Sequence, residues 1–155
     1  MSDCLIYDFE THSLYYENFQ KFEHVFYLEL DTVEIKCLTD SGEITGIQGF
    51  LPLVNSVREK IEIKSYRKGS VCIGNVQKYK YKENMTYDLF EEEPMLRLYL
   101  KNKLIKYDDN QGIICIGSKL RMEDEIIKIN KNILCGIDRL YNLKCMYIIP
   151  DKFLN

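Results

Sequence analysis

With 155 residues, 46% apolar and 29% charged, the chain fits one soluble globular domain over 1–155 and has no room for two sizeable cores. Its 21 basic and 24 acidic side chains leave a net charge of -3, which excludes a global field that draws a polyanion. Ala and Trp are absent, while 18 Ile, 6 Val, 5 Thr, 12 Tyr and 7 Phe favour pleated strands over helices. The composition predicts an all-β or β-rich α+β fold: a single-domain antiparallel meander, sandwich or barrel, with one or two short helices.

Short apolar, β-branched or aromatic runs over 5–9, 25–30 and 32–38 predict strands. Ser41-Gly42-Glu43 separates two such runs and predicts a hairpin, the glycine supplying positive φ. After Pro52, residues 52–59 suit one helical turn, and the alternation in Lys60-Ile61-Glu62-Ile63-Lys64 predicts a strand with both Ile on one face. Residues 96–100 and 104–107 predict a second hairpin through Asn102, and Asp108-Asp109-Asn110-Gln111-Gly112 the next turn. Strands follow at 112–117, 125–129, 133–137 and 143–149, with turns at Asn130-Lys131-Asn132 and Tyr141-Asn142. The helical exceptions are 15–24 and 86–93; the second, with a cap at Asn84, carries Glu91-Glu92-Glu93 at the wrong end for the helix dipole and equally suits a loop or a single turn, which Pro94 ends in either case. No repeat of fixed period and no linker composition is visible.

The first eight residues, Met1-Ser2-Asp3-Cys4-Leu5-Ile6-Tyr7-Asp8, lack the basic and apolar regions of an export signal, and no run approaches the roughly 20 apolar residues of a membrane span. Six cysteines at 4, 37, 72, 115, 135 and 145 form no Cys-x-x-Cys pair, so reduced thiols in a cytoplasmic protein are expected. Cys72, Cys115 and Cys135 sit among apolar residues and read as small core hydrophobes. His12 and His24 have no partners at metal-ligand spacing. Gly46-Ile47-Gln48-Gly49 lacks the Lys-Ser/Thr of a phosphate loop and reads as bulge chemistry.

Ile6-Tyr7-Asp8-Phe9-Glu10-Thr11 resembles the first motif of DEDD-type 3′-to-5′ exonucleases. Asn84-Met85-Thr86-Tyr87-Asp88 is similar to their second, and Tyr147-Ile148-Ile149-Pro150-Asp151 to their third. That resemblance implies Asp8, Glu10, Asp88 and Asp151 as ligands of Mg²⁺ or Mn²⁺, since two hard cations activate water and stabilise the leaving oxygen. The third motif departs from the family because it falls on a strand.

Lys78-Tyr79-Lys80-Tyr81-Lys82 alternates cations with aromatics; phosphate contact and base stacking need one shared face, and the alternation instead gives a strand with its Tyr face inward. Asp88-Leu89-Phe90-Glu91-Glu92-Glu93 sets four carboxylates about two apolar residues, the pattern of a contact surface for a basic partner.

Gly46-Ile47-Gln48-Gly49-Phe50-Leu51-Pro52, the stretch from Lys106 to Gly117, and 133–150 together resemble the small β-rich immunity proteins that bacteria encode beside polymorphic toxins. The resemblance implies a cytoplasmic protein without catalytic residue or cofactor that binds and blocks a cognate toxin. Membrane contact is not expected, and nucleic acid enters only with the exonuclease alternative. Asp88, Glu91, Glu92 and Glu93, with Phe90 as anchor, are the expected contact residues.

Overall fold

The computed structural model describes residues 4–17, 24–73 and 80–155. The first half of the chain forms β1 (Cys4–Asp8), β2 (Ser13–Glu17), β3 (Val25–Leu30), β4 (Val33–Leu38) and β5 (Ile44–Phe50). Short strands β6 (Val57–Arg58), β7 (Arg67–Lys68) and β8 (Thr86–Asp88) follow, then α1 (Leu89–Glu92), a 3-10 turn at Pro94–Leu96 and α2 (Arg97–Leu100). The second half supplies β9 (Lys106–Asp108), β10 (Ile113–Gly117), β11 (Glu125–Lys128), β12 (Ile133–Ile137), β13 (Leu143–Ile148) and β14 (Lys152–Leu154).

These strands make two seven-stranded sheets, ordered β14-β1-β2-β5-β4-β3-β8 and β6-β9-β10-β13-β12-β11-β7. The hairpin predicted through Ser41-Gly42-Glu43 is present, and so are the pairings across the turns at 108–112, 130–132 and 141–142, but the order is not a simple meander, because β5 returns to pair with β2 and β13 with β10. The outermost strands pair in parallel with their neighbours. Apolar side chains of both sheets, among them Tyr7, Phe26 and Ile35 of the first and Ile114, Ile133 and Met146 of the second, form one core. On β3 the period of two places Phe26, Leu28 and Leu30 in that core while Glu29 meets solvent. Strands β12 and β13 are buried throughout, since Leu134, Cys145 and Tyr147 face a second apolar cluster with Ile61 on the sheet's other side.

The sequence has no repeat of fixed period, yet the topology repeats. The inner five strands have the same plan in each sheet, β1-β2-β5-β4-β3 matching β9-β10-β13-β12-β11. Local details recur about 100 residues apart: His12 and Gly112 both take positive φ after the first strand, at 55° and 69°. Register shifts fall between Lys36 and Cys37 in one sheet and between Gly136 and Ile137 in the other. The strand that follows each five-strand unit leaves it: β6 pairs with β9, and β14 pairs with β1. Each half therefore completes an edge of the other half's sheet.

Three local expectations are also corrected. Residues 96–100 are helical, with Leu96 and Leu100 buried, so the hairpin predicted there does not form, although Asn102 does adopt positive φ. Residues 60–64 belong to no strand, although Ile61 and Ile63 do share a buried cluster. Of the alternatives for 86–93 the single turn is the one that forms, as α1, but its cap is Asp88 rather than Asn84 and Thr86–Asp88 lie in β8. The turn expected over 52–59 is present at Leu53–Ser56 but gives way to β6. Of the helix predicted over 15–24, Tyr15 to Glu17 lie in β2, and 18–23 lie outside the described residues. Among the described residues no helix is long and apolar enough to cross a membrane.

Candidate interaction surface

Asp88 ends β8 in extended conformation, and its Oδ1 accepts hydrogen bonds from Phe90 N at 2.8 Å and Glu91 N at 3.3 Å, capping α1. Pro94 cannot continue that helix and starts the 3-10 turn, leaving Glu93 between the two. Glu92 turns inward: its Oε2 lies 2.9 Å from Lys80 Nζ and accepts from the Tyr81 hydroxyl at 2.9 Å. The Lys80 contact, opposed by partial burial, holds the Glu92 carboxyl below its ordinary range. Tyr81 stacks on Phe26 with ring centroids 4.4 Å apart, anchoring this network to the core.

The acid run is therefore not a uniform contact surface. Phe90 is 7% exposed and covered by the Arg97 guanidinium 5.6 Å from its ring, so it is a core residue rather than the anchor expected of it. Asp88 is occupied in capping and Glu92 in an ion pair. Glu91 is exposed, and Glu93 is half-buried with its carboxyl pushed above the ordinary range by burial.

Glu93 lines a cavity of about 560 Å³ together with Val71, Cys72, Leu96, Leu140 and Tyr141. Leu140 and Tyr141 are 82% and 68% exposed on the turn between β12 and β13. Asp138 builds that turn, its Oδ1 accepting from Leu140 N and Asn142 N at 2.9 Å each. Its Oδ2 accepts from the Tyr99 hydroxyl at 3.2 Å, which ties the turn to α2. Tyr141 stands at φ 63°, a conformation that a bulky side chain rarely takes. Met95 and Leu98, on either side of Leu96 in the adjoining helical segment, are also exposed. The surface thus combines an exposed aromatic on a tight turn, an apolar surround and two carboxylates. Its apolar part escaped the sequence reading, which took Tyr141-Asn142 as a turn only; the signal was a Leu-Tyr pair where turns usually carry polar residues.

The four carboxylates of the exonuclease motif do not converge. Strand β1 is second in its sheet and β8 seventh, which separates Asp8 from Asp88 by five strand spacings, about 24 Å. Asp151 lies at the other end of β1 from Asp8, accepting from Leu5 N at 2.8 Å and pairing with Lys131 at 3.1 Å. Asp8 accepts from Glu10 N in its own turn. No group of three or more His, Cys, Asp or Glu stands ready for a metal among the described residues.

All six thiols are free. Cys115 and Cys135 are buried as expected, but Cys72 is exposed, because it lies in an isolated bridge to Glu43 rather than inside a sheet. Tyr81 of the basic ladder points inward while Lys80 and Lys82 are exposed; Lys78 and Tyr79 lie outside the described residues. His12 sits edge-on to Phe50, and His24 pairs with Glu83. No protein-family model matches the chain, and no curated protein matches it.

Proposed function

We propose that this chain is a non-catalytic binding protein: a cytoplasmic bacterial immunity protein that binds and blocks a cognate toxin domain. The observation that carries this reading is Tyr141, an exposed aromatic held at positive φ on a hydrogen-bonded turn, with Leu140 and Glu93 around the same cavity. A residue whose backbone is already fixed by its turn gives up less conformational freedom on binding, and tyrosines buried at interfaces are common centres of interface energy. Met95 and Leu98 extend the apolar area, while Glu91 and Glu93 meet a basic rim on the partner and speed encounter. The contact set shifts accordingly from Asp88, Phe90 and Glu92 to Tyr141, Leu140, Glu91 and Glu93.

The test is co-expression with the polymorphic-toxin domain encoded beside this chain. The wild-type chain is expected to restore growth and copurify with the toxin, and the L140D/Y141D variant to fold normally yet do neither. Growth arrest in the presence of the wild-type chain, or full protection by L140D/Y141D, overturns the reading.

A further inference from the structure

A groove of about 680 Å³ lies on the outer face of the second sheet, apart from the surface around Tyr141. Its size falls within the range of small-molecule sites, about 300–1,000 Å³. The floor is built by Tyr147 and Ile126 of the sheet and by Leu120, which belong to the apolar cluster on that face. Gly136 lets Leu120 settle there, since a Cβ at that position would stand 2.7 Å from Leu120 Cδ2. One wall is the segment leading into β7, with Lys64, Tyr66 and Arg67; the other is the connection from β10 to β11, with Lys119 and Arg121.

The charges in this groove are unevenly engaged. Its three acids each have a cation: Glu62 pairs with Lys60 at 3.7 Å, Glu125 with Arg67, and Asp124 with the buried Lys144. Lys64, Lys119 and Arg121 form no ion pair among the described residues, and they stand on both walls. An ion placed between them meets cations from two directions above a low-dielectric floor, where charge-assisted hydrogen bonds are strong. Tyr66, half exposed on the first wall, has Lys128 Nζ 5.5 Å over one face of its ring, so a planar group would stack on the opposite face.

We propose that this groove binds a nucleoside diphosphate, its phosphates held by Lys119, Arg121 and Lys64 and its base against Tyr66. A compact multivalent anion suits three cations on facing walls, and the planar base accounts for an aromatic among them. A long polyanion would meet the chain's net charge of -3 beyond the groove. This site is independent of the toxin-binding surface, and its failure leaves that reading untouched.

Isothermal titration of the full chain with ADP, adenosine and pyrophosphate at low salt tests the proposal. ADP is expected to bind, with adenosine and pyrophosphate each weaker by about tenfold or more, and affinity to fall as salt screens the phosphates. K119E and R121E should each weaken ADP by at least about tenfold, the loss of one charge-assisted hydrogen bond, with unchanged thermal midpoints because both side chains are exposed. No heat with ADP overturns the site, as does an unaltered affinity in the K119E/R121E double variant. Pyrophosphate binding as tightly as ADP overturns the assignment of the base to Tyr66.

Discussion

Asp8 and Asp108 occupy equivalent places in the two sheets, each closing the first strand of its five-strand unit and accepting from the backbone N–H two residues ahead, Glu10 N at 2.8 Å and Asn110 N at 3.1 Å. Their second oxygens differ in use. Asp108 Oδ2 also accepts from Ile61 N at 2.9 Å and from the Gln111 side chain at 2.6 Å, fastening 60–64 over the second sheet. The Ile61 and Gln111 bonds hold the Asp108 carboxyl below its ordinary range. A depressed carboxylate adds stability above its unfolded pKa, about 3.9, and loses it as pH falls through the lower folded value. D108A is therefore expected to lower the thermal midpoint at pH 7 more than D8A. The gap between D108A and wild type should narrow in strong acid; an equal effect of the two variants at pH 7 contradicts this account.

The strands that pair with neighbours close in sequence were legible. Residues 25–30 alternate inward and outward, and Gly42 at φ 75° marks the hairpin between β4 and β5. Residues 96–100 misled because Leu96, Leu98 and Leu100 also suit a strand's period of two; the burial of Leu96 and Leu100 against the core settles them as helix. The repeat was hidden because equivalent positions share environment rather than identity, as Lys36 does with Gly136. Within the candidate surface Glu91 and Glu93 were found as charges, but that Glu92 turns inward depends on Tyr81, which is anchored by Phe26, a residue distant in sequence.

Strand β14 shows what the exchange between halves contributes. Phe153 places its ring 5.9 Å from Tyr7, 5.8 Å from Phe9 and 6.0 Å from Tyr107, so a residue of the last strand joins the first strands of both units. F153A removes these contacts from a partly buried site and is expected to cost about 2–3 kcal/mol. Denaturant unfolding should stay a single transition, since neither sheet keeps its full edge without the other half. Two separated transitions would show that the halves are not coupled.

Lys144 and Asp124 form an ion pair 2.5 Å apart whose side chains are 5% and 2% exposed, and Arg121 N also donates to Asp124 at 2.6 Å. Burial alone would raise the Asp124 pKa; the bonds from Arg121 and Lys144 outweigh it and keep the carboxyl low. Removing one partner strands a charge in a place closed to water, so K144M should cost about 3–5 kcal/mol at pH 7. The double variant K144M/D124L should recover part of that loss. A double-mutant cycle by urea denaturation measures the coupling, and additive effects would rule it out.

Glu93 runs the other way. Burial raises its pKa, with Lys80 acting against that shift and Glu92 adding to it. A carboxyl whose folded pKa exceeds its unfolded one costs stability once ionised, fully so above the folded value, and the cost disappears as pH drops below the unfolded value near 4.3. E93Q is thus expected to be more stable than wild type at pH 7, by less than about 1 kcal/mol because the site is only half-buried. The difference should vanish at pH 4 in thermal scans. On the proposed immunity reading, a charge kept at a stability cost beside Tyr141 is one that a basic partner would satisfy. The same E93Q variant should therefore bind the toxin more weakly while folding more stably, and an E93Q variant that gains stability without losing affinity would separate Glu93 from the interface.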